Sequence, residues 1–232
     1  MGLARGYAAP SVTAATYVVA MAPSITKPGY RKGRSPANKG NTYPAEVLTP
    51  EEVRALLAQC SATSSYGLRH RALITLLYRT GLRLGEALEL RLKDVDFAVG
   101  SVTVLHGKGD RRRTVGIDPG ATRVVETWIA RRSLLAIPAE APLFCTLQGA
   151  SMTPSLVRTM LPRLAKRAGI TKRVHAHGFR HTHAYELMME GVPMAIIQQQ
   201  LGHASLATTN TYPAHIAPKE VIETIARRDW SP

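Results

Sequence analysis

The chain has 232 residues, which suits one large domain or one domain with a short appendage. Its 30 Lys and Arg residues outnumber its 16 Asp and Glu residues, so the net charge is +14. This excess favours a polyanionic partner, with nucleic acid ahead of an anionic membrane surface or a merely solvated basic surface. No run approaches the roughly 18 apolar residues of a membrane-spanning helix, which excludes such a helix from the sequence.

The N-terminal part of the chain is basic and has no helical or strand periodicity. Residues 1–45 carry six Lys or Arg residues and no Asp or Glu. Residues 27–44 are rich in Gly, Pro and basic side chains, which predicts a flexible arm that lies along a DNA backbone or is simply disordered. We expect residues 1–41 to form this arm and residues 42–232 to form one globular domain.

The globular part begins with a helix signal, the sequence TPEE. Thr49 is the expected N-cap, Pro50 suits the first turn, and Glu52 completes a capping box. A second helix is predicted over roughly residues 70–79, where apolar residues recur at helical spacing. The stretch TGLRLGEALEL then predicts a glycine turn, an arginine and a short helix that carries Glu86.

A β-hairpin is predicted in the middle of the chain. The sequence SVTVLHGKGDRRRTVGI alternates, turns at Gly107 to Gly109 and alternates again. Helical patterns then occupy roughly residues 119–135, 154–168, 177–190, 193–201 and 218–228. The predicted fold is therefore mainly α with a small antiparallel β-sheet, in the α+β class.

The two cysteines, Cys60 and Cys145, lie far apart in apolar stretches. This placement predicts buried thiols in a reducing compartment, which favours the cytoplasm, although the sequence leaves a disulfide open. The chain has no CxxC pair, which argues against a zinc site built from cysteines.

The stretch HAHGFRHTHA, which begins at His175, crowds four histidines around one arginine. His177 and His181 are four residues apart, a spacing that suits zinc on a helix. Arg180 lies between them, however, and a guanidinium beside a metal ion is electrostatically costly, whereas its planar donors match two phosphate oxygens. The arginine therefore favours a phosphate site, and we interpret His175 and His183 as buried structural residues.

A phosphate site that does more than bind needs a nucleophile. Tyr212 ends the stretch LGHASLATTNTY, which begins with a Gly-His turn at His203. A tyrosine hydroxyl has a pKa of about 10 and attacks slowly unless cations stabilise its charge. Arg83, in its Gly-Leu-Arg turn, and Lys108, at the tip of the basic hairpin, are candidates to supply that positive field.

Five motifs, taken together and in this order, resemble the catalytic domain of the tyrosine recombinases, or phage integrases. They are TGLRLGEALEL, the hairpin lysine, HGFRHTHA, LGHAS and the final TNTY. The resemblance runs from about residue 42 to residue 228. It implies a mostly helical catalytic domain that clamps duplex DNA together with a partner domain.

The resemblance also implies a role for each motif residue. Arg83 and Arg180 would grip the scissile phosphate, and His203 would donate a hydrogen bond to it. Tyr212 would attack phosphorus and form a 3′-phosphotyrosine, while Lys108 would protonate the departing 5′ oxygen. A phosphodiester is exchanged for a phosphodiester, so the reaction requires no cofactor, neither ATP nor a metal ion.

The remaining implied roles are supporting ones. His177 would assist proton transfer near the nucleophile, and Glu86 would orient a cation or cap a helix. Lys93 and Arg111 compete with Lys108 for the role of proton donor, since exposed basic residues are common in loops. We interpret the following basic run as contacts to DNA backbone phosphates: Arg111, Arg112 and Arg113.

The sequence departs from the family in its N-terminal region. Many relatives carry a helical core-binding domain before the catalytic one, and only about 41 residues precede it here. The chain is then a minimal recombinase, a truncated relic or a fragment. We expect a cytoplasmic, nucleoid-associated enzyme that binds double-stranded DNA as a tetramer on paired sites. A non-catalytic DNA-binding relative, a type IB topoisomerase and, more distantly, a zinc hydrolase stay open as alternatives.

Overall fold

The computed structural model describes residues 46–105 and 112–202. The helices are α1 (Pro50–Ala58), α2 (Ser65–Thr80), α3 (Leu84–Glu89), α4 (Pro119–Leu134), α5 (Pro154–Arg167), α6 (Ala176–Met189) and α7 (Met194–Leu201). The strands are β1 (Val95–Asp96), β2 (Ser101–Val104) and β3 (Arg113–Gly116), and a 3₁₀ turn (Leu92–Asp94) precedes β1. The predicted fold class, mainly α with a small antiparallel sheet, is confirmed.

The helix boundaries follow the capping signals in the sequence. The Thr49 hydroxyl accepts a hydrogen bond from the Glu52 amide at 3.2 Å, and Glu52 Oε2 accepts one from the Thr49 amide at 2.7 Å, so the predicted capping box is confirmed. Helix α2 begins five residues earlier than predicted, because the Ser64 hydroxyl accepts from the Gly67 amide and caps the helix there. The later helices within residues 119–201 agree with prediction to within a few residues at each end.

The sheet has one strand more than the predicted hairpin. Strands β2 and β3 pair antiparallel from Ser101↔Gly116 to Val104↔Arg113, which confirms the hairpin pairing. The additional strand β1 pairs antiparallel with β2 and gives the order β1-β2-β3. A two-residue strand is too short to show alternation in the sequence. The predicted hairpin turn, the helix at 218–228 and the arm at 1–41 lie outside the described residues.

Helix α2 is the centre of the hydrophobic core. Most of its residues from Leu68 to Leu77 are buried, and it packs against α4 and α6. On α4, Trp128 is fully buried and its indole N–H donates to the Leu143 carbonyl at 2.8 Å. Burying this apolar surface is the main source of stability. The predicted burial of both thiols is confirmed, and Cys60 and Cys145 are free.

The end of α2 determines where the first motif arginine lies. Helix α2 stops at Gly81, which has a left-handed backbone (φ 65°) and donates its N–H to the Leu77 carbonyl. A Cβ at Gly81 would lie 2.6 Å from Leu201 Cδ2 and 2.9 Å from His183 Cδ2, so only glycine fits this close contact with α7 and α6. The chain then turns directly into Arg83, the N-cap of α3.

Among the described residues, none of the helices is both long enough and apolar enough to cross a membrane.

Candidate active site

Arg83 is held by a carboxylate one turn later in α3. Its backbone N–H donates to Glu86 Oε2 at 2.9 Å, and its Nη1 donates to Glu86 Oε1 at 2.8 Å. Only 30% of the Arg83 side chain is exposed, and the Glu86 side chain is 5% exposed. The carboxylate therefore caps the helix and orients the guanidinium, which are the two functions predicted for it.

Arg113, at the start of β3, shares the same carboxylate. Its Nη1 donates to Glu86 Oε1 at 2.9 Å and its Nη2 donates to Oε2 at 2.7 Å, which is a bidentate pair. Burial alone would raise the pKa of Glu86, but the hydrogen bonds from Arg113 and Arg83 outweigh burial and lower it. Glu86 thus stays ionised and ties the hairpin to the first motif.

Arg180, on α6, is fully buried and bridges two backbone carbonyls. Its Nη1 donates to the Gly81 carbonyl at 2.6 Å, and its Nη2 donates to the Leu201 carbonyl at 2.6 Å. Gly81 precedes Arg83 by two residues and Leu201 ends α7, so one guanidinium joins α6 to both neighbouring segments. This planar fork fixes the orientation of Arg180.

His177 lies one helical turn before Arg180 and is an exposed residue of α6. Its ring packs edge-on against His181 with the ring centroids 4.4 Å apart. Its pKa is lowered by partial burial first, and then by the positive charges of Arg180, His175 and Arg83. Both motif arginines are therefore close enough to His177 to affect its ionisation, and the neutral imidazole is favoured at neutral pH.

His175 and His183 were predicted to be buried structural residues: His183 is buried, although its two ring nitrogens accept and donate no hydrogen bond among the described residues, whereas His175 is only partly buried. His175 is the N-cap of α6, where its Nδ1 accepts a hydrogen bond from the Gly178 amide at 3.0 Å. His183 is 4% exposed and lies against the Gly81 turn. Burial, reinforced by the charges of Arg79 and Arg180, lowers the pKa of His183 to about 4, so its ring is neutral.

The structure describes part of the predicted site. It brings Arg83, His177 and Arg180 together, with Glu86 behind Arg83, and it places Arg112 on the surface before β3. Four predicted residues lie outside the described residues: Lys108, Arg111, His203 and Tyr212. The described chain reaches both sides of the gap that contains Lys108 and Arg111, at Leu105 and Arg112, and it ends at Gly202, the C-cap of α7 and the residue before His203.

Sequence reasoning missed the structural role of two residues that organise the site. Arg113 was predicted only as a backbone-phosphate contact, and that contact stays a prediction, whereas the pairing of Arg113 with Glu86 was not anticipated. Gln200 on α7 hydrogen-bonds the edge of β3 and the end of α2. Neither pairing has a local signal in the sequence, because the partners are separated by 27 residues or more.

The chemistry of these groups is that of a candidate anion site on a helical domain. Two guanidiniums and a neutral imidazole offer several N–H donors, and guanidinium geometry matches the oxygens of a phosphate. Within residues 46–105 and 112–202, no group of three or more His, Cys, Asp or Glu residues is arranged to hold a metal ion.

Comparison with known proteins agrees with this class of site. Residues 46–219 match the model of the phage integrase family, so the chain belongs to that family. It is 36% identical over 169 residues to the tyrosine recombinase XerC of Anoxybacillus flavithermus, which covers 71% of this chain and 56% of the relative. The chain thus spans little more than half the length of this curated relative.

Two solved structures have similar folds. The crystal structure of XerA recombinase matches with a TM-score of 0.70 and 30% identity, over 85% of this chain and 70% of that one. The XerH site-specific recombinase, in a post-cleavage complex with palindromic difH substrate, matches with a TM-score of 0.66 and 28% identity. That match covers 80% of this chain and 54% of the XerH chain.

Proposed function

We propose that this chain cuts and rejoins DNA strands at specific sites through a 3′-phosphotyrosine intermediate on Tyr212. The observation that carries the proposal is the convergence of Arg83 and Arg180 near His177 in a member of the phage integrase family. The net charge of +14 supports a DNA substrate.

The proposed reaction is a transesterification at phosphorus. The Tyr212 oxygen forms a bond to phosphorus and the bond from phosphorus to the 5′ oxygen breaks. The departing oxygen takes a proton, which we assign to Lys108. Attack by a 5′ hydroxyl on the phosphotyrosine reverses the step on the same or another strand. One phosphodiester replaces another, so no external energy source is consumed.

Each described residue has a part in this chemistry. Arg83 and Arg180, with His203, would stabilise the charge that develops on the phosphate oxygens. The lowered pKa of His177 leaves a neutral ring that accepts a proton from the tyrosine hydroxyl. Glu86 would keep Arg83 aimed at the phosphate.

The proposed substrate assembly is a tetramer on two paired double-stranded DNA sites in the nucleoid. Residues 42–232 would form the catalytic domain, and residues 1–41 would form a basic arm along the DNA. Arg111, Arg112 and Arg113 would contact backbone phosphates near the hairpin, with Arg113 remaining paired to Glu86. The XerH complex with its difH substrate supports a DNA partner for this fold.

A trapped covalent complex tests the proposal. The protein is incubated with nicked suicide substrates drawn from the DNA flanking its gene, and the attached residue is mapped by mass spectrometry. We expect an adduct on Tyr212 that is lost in Tyr212→Phe. Tyr66→Phe is the matched control, because Tyr66 is an exposed tyrosine on α2 and its removal should leave the adduct intact.

Three outcomes would contradict the proposal. DNA binding without any adduct on substrates that contain the bound site would indicate a non-catalytic DNA-binding protein. Plasmid relaxation without sequence preference would indicate a type IB topoisomerase activity. An adduct mapped to a residue other than Tyr212 would overturn the assignment of the nucleophile.

A further inference from the structure

The side-chain amide of Gln200, near the end of α7, connects three elements of the site. Its Oε1 accepts from the Gly116 N–H at 2.9 Å, and its Nε2 donates to the Gly116 carbonyl at 2.9 Å. The same Nε2 lies 3.3 Å from the carbonyl of Thr80, the last residue of α2. One side chain thus contacts β3, α2 and, through its own backbone, α7.

The contact with β3 has the geometry of an added strand. In the described sheet, β3 lies at the edge, so the backbone groups of Gly116 that point away from β2 have no strand to pair with. The N–H and C=O of one residue point to the same side of an antiparallel strand. A primary amide, with one donor face and one acceptor, satisfies both groups at once. A carboxylate or an apolar side chain at position 200 would not.

The two residues after Gln200 lie against Arg180 and Arg113. The Leu201 carbonyl accepts from Arg180 at 2.6 Å. Gly202 has a left-handed backbone (φ 65°), and a Cβ there would lie 2.5 Å from Arg113 Cδ. His203 is covalently bonded to Gly202. The position of the α7 end therefore determines both the support of Arg180 and the point from which the chain continues toward His203.

We propose that Gln200 is a positioning residue that sets the α7 end against β3 and the end of α2, and so aligns Arg180 and Gly202, the residue before His203, with Arg83. This role rests on the proposed function of strand cleavage. Gln200 does not touch the phosphate; it acts through Leu201 and Gly202. The contact with Gly116 is made by the side chain of Gln200 itself. A single substitution at Gln200 therefore removes this contact and keeps both Arg83 and Arg180.

The neighbouring glutamine provides a matched control. Gln199 lies on the same helix and is exposed, and its side chain makes no hydrogen bond to the described residues. Methionine is close to glutamine in size and in helix propensity but forms no comparable hydrogen bond. Gln200→Met therefore removes the contact, and Gln199→Met makes the same chemical change without it.

The test separates cleavage from binding. Single-turnover cleavage of a suicide substrate is measured at saturating protein, and the Kd for the same DNA is measured separately. We expect Gln200→Met to cleave about 10-fold or more slowly, since a small misplacement of catalytic groups can cost on the order of 100-fold in rate. Its Kd should stay within about 2-fold of wild type, and Gln199→Met should match wild type in both measurements.

A second readout needs no activity. Amide hydrogen exchange at Gly116 should be faster in Gln200→Met than in wild type or Gln199→Met, because the acceptor for that N–H is gone. Circular dichroism and the Tm establish that both variants are folded. Gln200→Glu keeps an acceptor for the Gly116 N–H but loses the donor to two carbonyls, and it should also cleave slowly.

The outcomes distinguish the two hypotheses. Equal cleavage rates for Gln200→Met and Gln199→Met would overturn the positioning role, as would a rate loss fully explained by weaker DNA binding. Unchanged exchange at Gly116 would show that the contact does not exist in solution and would overturn the role as well. A wild-type protein that binds its DNA site without forming a covalent adduct would instead contradict the proposed function.

Discussion

Arg180 and Arg83 both lower the pKa of His177, but the protein holds their guanidiniums in different ways. Arg180 is 1% exposed and is held by the carbonyl dipoles of Gly81 and Leu201. Arg83 is partly exposed and is held by the Glu86 carboxylate, which also binds Arg113. We call Arg180 with its two carbonyl partners the buried arm of the site, because it is built into the packed core. We call the ion-pair network of Arg83, Glu86 and Arg113 the outer arm, because it lies at the edge of the core.

The two kinds of partner, carbonyl dipoles and a carboxylate, give the two arms different properties. Carbonyl dipoles orient a guanidinium without neutralising it, so the buried arm offers a rigid positive charge. In the outer arm, two guanidiniums share one carboxylate and keep one net positive charge. Because Arg113 starts β3 and shares the Glu86 carboxylate with Arg83, the outer arm also couples the orientation of the Arg83 side chain to the position of the hairpin. Substitutions in each arm distinguish the rigidity of Arg180 from the coupling of Arg83 to the hairpin.

The largest effect is expected for Arg180→Lys. An ammonium keeps the charge but cannot donate in a planar fork to two carbonyls and a phosphate. We expect cleavage to fall by about 100-fold or more, the scale for losing one preorganised donor to a developing oxyanion. Single-turnover cleavage measures this loss, and Arg158→Lys, on the exposed side of α5, is the control. Near-normal cleavage would show that the fork is dispensable.

Gly81→Ala tests the packing of the buried arm. An alanine there would adopt φ near 65° and place its Cβ 2.6 Å from Leu201 Cδ2. Left-handed strain and overpacking together should lower the free energy of unfolding by about 2–3 kcal/mol. Gly191→Ala has a similar φ of 78° with open space around the Cβ, so it should cost only about 1 kcal/mol. Equal losses in urea unfolding would contradict the close contact.

Glu86→Gln tests the outer arm. The amide keeps one acceptor but loses the charge shared by Arg83 and Arg113, so we expect about 1–2 kcal/mol less stability at pH 7. The pKa of Glu86 is lowered in the fold, so its contribution is present above the unfolded pKa of about 4.5 and is lost as the pH falls further. The difference from wild type should therefore shrink in acid.

Glu89→Gln is the control for this change, because Glu89 is an exposed residue of the same helix. A Glu89→Gln variant as unstable as Glu86→Gln would show that the effect does not come from the network.

The smallest effect is a pH dependence in the buried arm. The pKa of His183 is about 4 in the fold and about 6.5 when unfolded, because burial and the charges of Arg79 and Arg180 outweigh the opposing effect of Asp118. The unfolded chain therefore binds a proton first as the pH falls, and stability drops. Between pH 6.5 and 5.5 the His183 contribution should fall by about 1 kcal/mol.

Urea unfolding of wild type and His183→Leu at these two pH values measures this loss. The variant should lose less stability on acidification than wild type does. Parallel losses would show that His183 titrates as an exposed histidine.

The sequence was sufficient where the information is local. Capping at Thr49, the alternation of the hairpin strands and the helical spacing from residue 119 to residue 201 each depend on neighbours within a few residues. It was insufficient for β1, which is held only by pairing with β2, and for the early start of α2. The order of the motifs identified the family, while the roles of the four site residues outside the described ranges stay predictions.

The amino-acid order alone determined the helical fold class, the basic character and the family, because these follow from periodicity, composition and linear motifs. Only the tertiary structure decided how the arginines are held. The bonds from Arg180 to Gly81 and Leu201, from Arg113 to Glu86 and from Gln200 to Gly116 join residues 21 to 99 positions apart. Such pairs leave no periodic trace in a sequence, since they form only when packing of the core brings separate helices and the sheet edge into contact.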